Sequence, residues 1–87
     1  MSTHPSDFQV GDRVVFVRES DPRHASDDPL YEPPVPAGAT ALVVKVSIDH
    51  LRVRLDDPKL SREPVKLWQD GLFPDQATNT ISALQKL

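Results

Sequence analysis

Short runs of β-branched and aromatic residues alternate with polar turns along this chain, and they predict several strands and few helices. The first run, residues 14–17, follows the turn signal Gly11-Asp12 and is apolar at every position. The second run, residues 41–46, is apolar except at Lys45. Because side chains alternate across a strand, both runs carry apolar residues on both faces, which is typical of strands covered on two sides.

Two later segments predict strands with more distinct faces. Residues 51–55 alternate between apolar residues and arginine, so Arg52 and Arg54 are predicted on the outer face. We expect this strand to form a hairpin with the run before it. Residues 65–68 predict a short strand, in which Trp68 either faces outward as an interface anchor or plugs one end of the core.

The C-terminal residues predict a helix. Asp75 can accept hydrogen bonds from the first free amides of a helix that runs to about residue 86. Apolar residues recur there at near-helical spacing, at Ala77, Ile81, Leu84 and Leu87. We therefore expect a C-terminal helical segment over residues 75–87.

Residues 19–37 predict a long acidic loop. Five of the nine prolines lie in it, and each proline ring removes a backbone donor and clashes with the preceding turn of a helix. A loop of this length in a small domain is either mobile or functional. Its second half favours extended polyproline geometry and contains Tyr31, Pro33, Pro34 and Pro36.

The double-sided apolar runs leave a stripe that needs a cover. A small barrel takes only one face of each strand into its interior. We expect the other face to expose an apolar stripe formed by Val15, Val17, Ala41 and Val43. The predicted C-terminal helix is the expected cover. The alternatives are the loop residues Leu30, Tyr31 and Val35, a protein partner, or a second copy in a weak homodimer.

Length and composition limit the class of protein. Eighty-seven residues allow one small domain, and 10 Lys and Arg against 13 Asp and Glu give a formal charge of −3. The absence of cysteine excludes a disulfide, a thiolate metal site and a cysteine nucleophile. No apolar run approaches the roughly 20 residues of a membrane-spanning helix, and the first residues lack the features of a signal peptide. We therefore expect a soluble cytoplasmic domain without membrane contact.

Residue types that support catalysis or metal binding are sparse. His4, His24 and His50 all fall in predicted turns and loops, without a second histidine at ligand spacing. The three glycines form no phosphate-cradling series, and no nucleophile-elbow pattern occurs. We therefore expect no catalytic residue, no metal site and no cofactor.

Three sequence patterns carry a resemblance to a known fold family. They are F-x-V-G-D-R-V at residues 8–14, P-x-G-A-T-x-x-V-V-x-V at 36–46 and L-R-V-R-L-D-D at 51–57. This order resembles SH3-like small β-barrels with a KOW-type hairpin, including stand-alone bacterial SH3-like regulators and accessory subunits. With the strand pattern, it predicts an all-β, partly open barrel of about five short strands. The expected organisation is a flexible N-terminus at 1–7, the barrel at 8–74 with the long Pro-rich first loop at 19–37, and the C-terminal helix at 75–87.

The resemblance implies a surface for another protein, because the long first loop of such barrels often borders the binding surface. We expect a non-catalytic protein-interaction module, acting as a small regulator or accessory subunit of a larger complex. Its predicted partner-binding residues are Tyr31, Pro33, Pro34, Pro36, Arg52, Arg54 and Trp68.

Two alternative functions would depend on charged residues instead. A KOW-like nucleic-acid-binding domain would use Arg52, Arg54, Lys59, Arg62 and Lys66. Ala41 stands where KOW-type hairpins usually have a second glycine, and the loops are acidic, so the sequence argues against this alternative. An acidic inhibitor of a basic protein groove would use Asp21, Asp27, Asp28 and Glu32.

Overall fold

The computed structural model describes residues 3–20, 34–60, 63–72 and 79–87. Five antiparallel strands form one curled sheet, a half-barrel, in the order β4-β3-β2-β1-β5. The strands are β1 (Arg13–Phe16), β2 (Thr40–Val46), β3 (His50–Leu55), β4 (Val65–Trp68) and β5 (Leu84–Lys86). Two 3-10 turns, Pro5–Asp7 and Ile81–Ala83, precede β1 and β5. The predictions of a predominantly β chain and of five short strands are confirmed.

The turn at Gly38 fixes where β2 begins. Gly38 has a φ of 93°, a backbone conformation that only glycine adopts without strain. Its N–H donates to the carbonyl of Phe16 at 2.7 Å, and the N–H of Phe16 donates to the carbonyl of Ala39 at 2.8 Å. These bonds join the end of β1 to the start of β2, although a long connection separates the two strands in sequence.

The concave face of the sheet forms the core. Alternate side chains of β1 to β4 point into it: Val14, Phe16, Ala41, Val43, Leu51, Val53, Leu55, Val65 and Leu67. Residues from outside these four strands complete it: Phe8, Val35, Ile81, Ala83 and Leu84. The half-barrel therefore buries one face of the sheet, as the alternation of residues 51–55 predicts.

The predicted outer stripe is wrong for β2. Ala41 pairs with Val14, and both lie fully buried on the concave face together with Val43. Directly paired residues point to the same side of a sheet, so this register decides which face of β2 is inside. The apolar residues that β2 leaves outside are Leu42 and Val44, which are half-buried.

The predicted C-terminal helix is also wrong in the part of the chain that the structure describes. Residues 79–87 form a 3-10 turn followed by β5, while residues 75–78 lie outside the described residues. The free edge of β1 provides backbone partners for β5, with Val15 opposite Gln85. Three consecutive polar residues at 78–80 lower helix propensity, and a short helix has a costly nucleus. The C-terminus therefore extends the sheet beside β1 rather than covering its outer face.

A carboxylate joins the first three strands on the outer side. Asp56 accepts a hydrogen bond from the hydroxyl of Thr40 at 2.6 Å and one from Nη1 of Arg13 at 3.1 Å. The hydrogen bonds from Thr40 and then from Arg13 lower the pKa of Asp56 below its ordinary value of 3.8. The deprotonated carboxylate is therefore favoured by folding.

This lowered pKa makes part of the stability depend on pH. The contribution is fully present above the unfolded-state pKa and is lost as pH falls through the folded-state pKa. Asp56→Asn is expected to lower the melting temperature modestly at neutral pH, since the pair is exposed, and to reduce the further fall below about pH 4. Circular-dichroism melts across the acid range test this, with Glu19→Gln as a control at an exposed carboxylate outside the cluster. Parallel wild-type and Asp56→Asn curves would contradict it.

Candidate partner-binding face

The outer side of β3 and β4 brings several predicted binding residues together. Arg52 and Arg54 alternate with buried residues on β3, so both point away from the core. Trp68 lies opposite His50 on the neighbouring strand, on the same outer side. Three of the seven residues predicted to bind a partner therefore share one face, which rests on regular strands.

A β-bulge adds a lysine to this face. The pairing of β2 with β3 shifts register between Val43 and Lys45, so that Lys45 lies directly opposite Arg52. Without the shift, Lys45 would follow Ala41 and Val43 onto the concave face. Lys45 is exposed instead.

The register aligns three cations across the sheet. Arg52 has Lys45 opposite it on β2 and Lys66 opposite it on β4. We refer to these three residues as the cation row. We refer to the whole surface, made of Lys45, His50, Arg52, Arg54, Lys66 and Trp68, as the basic face. Neighbouring strands lie about 4.8 Å apart, so the backbone positions of the row span roughly 10 Å.

Trp68 forms one corner of the basic face. It is half-buried and is not among the buried residues of the core. Nζ of Lys66 lies 4.8 Å from the centroid of the indole ring, close enough for a cation–π interaction. The His50 ring packs at 5.4 Å between centroids with a tilt of 58°. The indole therefore has defined neighbours.

His50 is held by the acidic residue before it. Its Nδ1 lies 2.7 Å from Oδ1 of Asp49, and only 15% of the His50 side chain is exposed. Its buried Nε2 makes no hydrogen bond within the described residues. An Asp–His pair that activates a nucleophile needs a hydroxyl within hydrogen-bond reach of the second nitrogen. What this pair does in the described structure is orient the imidazole beside Trp68.

Asn79 pairs with the backbone of β4 along the edge that does not face β3. The N–H of Trp68 donates to the carbonyl of Asn79 at 2.9 Å, and Nδ2 of Asn79 donates to the carbonyl of Lys66 at 3.1 Å. Asn79 itself is almost completely buried. It therefore satisfies a strand edge that would otherwise present free backbone groups.

Residues 80–83 continue from Asn79 to the end of β1. Arg18 donates from Nη2 to the hydroxyls of Thr80 and Ser82, at 2.8 and 3.0 Å. The N–H of Val17 donates to the carbonyl of Ala83 at 2.8 Å. This segment therefore joins β4 to β1 and closes one side of the half-barrel.

Asn79→Ala is expected to destabilise the fold, because it leaves the Lys66 carbonyl without its donor. Such a loss costs about 1–3 kcal/mol and lowers the melting temperature of a domain this size by roughly 4–8 °C per kcal/mol. Thermal melts compared with Gln85→Ala, at an exposed position on β5, measure the effect. Equal melting temperatures for the two variants would show that Asn79 does not stabilise the edge.

The proline half of the predicted surface lies elsewhere. Pro34 and Pro36 are exposed on either side of the buried Val35, which pairs with Ser20 beyond the end of β1. This position adjoins β1, whereas Arg52 lies two strands away in the sheet order. Tyr31 and Pro33 lie outside the described residues.

The residues of the two alternatives are only partly described. Of the nucleic-acid set, Arg52, Arg54 and Lys66 share the basic face, while Lys59 is exposed in the connection between β3 and β4. Arg62 lies outside the described residues, and so do all four acids of the inhibitor set, Asp21, Asp27, Asp28 and Glu32.

Comparisons with known proteins give no functional guide. No protein-family model, no curated protein and no solved structure matches this chain. Within the described ranges, no helix is long and apolar enough to cross a membrane, and no three His, Asp or Glu side chains are grouped to hold a metal ion.

Proposed function

We propose that this chain is a non-catalytic protein-interaction module that binds a partner protein on its basic face. It would act as a small regulator or an accessory subunit of a larger complex. The observation that carries the proposal is the grouping of Arg52, Arg54 and Trp68 on one outer face of paired strands. Tryptophan and arginine are the residue types that most often dominate binding energy at protein interfaces.

We further propose that the half-barrel is of the SH3-like kind. The meander β2-β3-β4, the long connection before β2 and the 3-10 turn before β5 support this assignment. Such barrels have many unrelated functions, so the fold alone does not select a partner. We assign partner binding to the basic face, because its cations and its indole are held on rigid strands.

The proposal is tested by capture of the partner from the native host. The tagged chain is compared with an Arg52→Ala/Trp68→Ala double variant and with Lys86→Ala, a cation of β5 whose Nζ lies 3.6 Å from Asp12. We expect a protein that the wild type and Lys86→Ala retain and that the double variant loses, with folding of all three checked by circular dichroism. Retention of the same proteins by all three folded chains would contradict the proposal.

Nucleic-acid binding is the second candidate, because the cation row could contact phosphates. Binding through phosphates weakens steeply with salt as counterions are released. A titration with single-stranded and duplex DNA and RNA at two salt concentrations tests it. Absence of binding at the lower salt concentration would rule this candidate out.

A further inference from the structure

Arg18 differs from Arg13 in the groups that it contacts. Arg13 donates to the carboxylate of Asp56. Arg18 instead donates from Nη2 to two neutral hydroxyls, that of Thr80 at 2.8 Å and that of Ser82 at 3.0 Å. In the part of the chain that the structure describes, Arg18 forms no ion pair with a carboxylate. Its positive charge is therefore held in place without being neutralised. We refer to Arg18, Thr80 and Ser82 as the arginine–hydroxyl cluster.

The arginine–hydroxyl cluster has more hydrogen-bond donors than acceptors. A guanidinium has five N–H donors, and the two on Nη2 bind the hydroxyl oxygens. These two oxygens lie 3.4 Å apart, so one hydroxyl can donate to the other, and the second hydroxyl hydrogen has no acceptor among the described residues. The same holds for the remaining guanidinium N–H groups, on Nε and Nη1. Spare donors around one positive charge favour an anionic ligand.

The backbone holds the cluster in place and leaves part of it exposed. Arg18 is exposed and Thr80 is half-buried, while Ser82 is only 7% exposed. The N–H of Ser82 donates to Oδ1 of Asp70 at 2.9 Å, and Thr80 pairs with Trp68 through a parallel bridge. Donors that are fixed before a ligand arrives lose little conformational freedom on binding.

We propose that the arginine–hydroxyl cluster binds a phosphoryl group. A carboxylate binds arginine best through two parallel hydrogen bonds, and both guanidinium edges that allow this include Nη2. Here Nη2 already donates to the two hydroxyls. A phosphoryl group has three acceptor oxygens and a charge of about −1.5 to −2 at pH 7, so it can accept from Nη1 and from a hydroxyl in different directions. None of the three residues belongs to the basic face, so this site does not depend on the proposed partner binding.

Asp70 provides a test with the opposite sign. Because its carboxylate accepts the N–H of Ser82, it would lie within the Debye length of an anion on the cluster, roughly 8 Å at physiological ionic strength. Asp70→Asn removes this negative charge and keeps an oxygen that can accept the same N–H. We expect this variant to bind phosphate about fivefold more tightly than the wild type, because Coulomb repulsion is removed.

An NMR titration of the full chain at neutral pH and constant ionic strength tests the proposal. The probes are inorganic phosphate, a short phosphoserine peptide, the same peptide without phosphate, acetate and an oligothymidylate. We expect saturable shifts of the Thr80 and Ser82 amides with phosphate and with the phosphopeptide, none with the unmodified peptide, and binding of acetate at least about tenfold weaker than that of phosphate. Tighter binding of the phosphopeptide than of phosphate would identify a phosphorylated protein segment as the source, and the reverse order would identify free phosphate.

Matched variants locate the phosphoryl group. Arg18→Gln is expected to weaken phosphate binding at least about tenfold, because it removes the charge-assisted contacts. Ser82→Ala removes one hydroxyl, keeps the guanidinium and is expected to weaken binding about fivefold, which gives a second measurement if Arg18→Gln does not fold. Lys86→Gln, at a cation 3.6 Å from Asp12 on β5, is expected to leave binding unchanged.

Four results would overturn the proposal. They are the absence of saturable shifts at Thr80 and Ser82 with phosphate and phosphopeptide, tighter binding of acetate than of phosphate, tighter binding of the oligothymidylate than of either phosphoryl probe, and unchanged phosphate affinity in the folded Arg18→Gln or Ser82→Ala variant. Circular dichroism establishes which variants are folded.

Discussion

Arg52→Glu is expected to abolish binding at the basic face while making the free protein more stable. In the free chain, the substitution changes the like-charge pair with Lys45 into an opposite-charge pair. Each cross-strand pair contributes roughly 0.2–1 kcal/mol, so the melting temperature is expected to rise. In the complex, the same change reverses the charge at the centre of the surface that the partner is proposed to contact. We expect the protein that the wild type retains in the capture experiment to be lost, since changing a charged residue at the centre of an interface costs several kcal/mol.

The prediction is stringent because the same substitution is expected to raise stability and to weaken binding. A residue that only stabilises the sheet would lower both stability and binding when it is changed. Arg13→Glu is the matched control, because Arg13 is already paired with Asp56. It is expected to lower the melting temperature and to leave binding nearly unchanged. If Arg52→Glu lowered stability and left binding intact, the basic face would not have the role assigned to it.

Leu67→Ala is expected to be the most destabilising simple substitution on β4. Leu67 is fully buried and lies directly opposite Leu51, also fully buried, on β3. Removing such a side chain costs about 2–5 kcal/mol, through lost burial and the cavity that remains. A domain of this size has a small core, so the melting temperature is expected to fall by at least about 10 °C.

Two further variants calibrate the effect of Leu67→Ala. Leu67→Met roughly conserves volume and is expected to cost less than about 1.5 kcal/mol. Leu72→Ala changes a leucine that is 42% exposed and is expected to have little effect. Thermal or urea unfolding measures all three. Equal stability of Leu67→Ala and Leu72→Ala would mean that the concave face of the sheet is not the core.

The local alternation of apolar and polar residues was sufficient to predict which side chains of β3 and β4 face outward. The alternation at 51–55 places Arg52 and Arg54 outside, and the structure agrees. It was not sufficient for β2, because residues 41–46 are apolar on both faces and either register satisfies the pattern. Lys45 carried a usable signal. A lysine in phase with Ala41 and Val43 cannot stay on a buried face, so a bulge before it could have been expected.

The C-terminal strand had no comparable local signal. Residues 84–86 are only three positions long, and their partner, β1, lies about 70 residues earlier in the chain. Near-helical spacing of apolar residues was therefore the strongest local pattern, and the long-range pairing overrode it. The same limit applies to the binding surface. Alternation grouped Arg52 with Arg54, but only the strand pairing shows that Lys45 joins them.

An NMR map of the binding surface tests the central claim most directly. Backbone amide shifts of the full chain are recorded with and without the protein retained in the capture experiment. We expect the largest changes on β3 and β4 around Arg52 and Trp68, and at Lys45 across the sheet. Changes centred on β1 and β5, with the amides of β3 and β4 unmoved, would contradict the assignment of the basic face as the partner-binding surface.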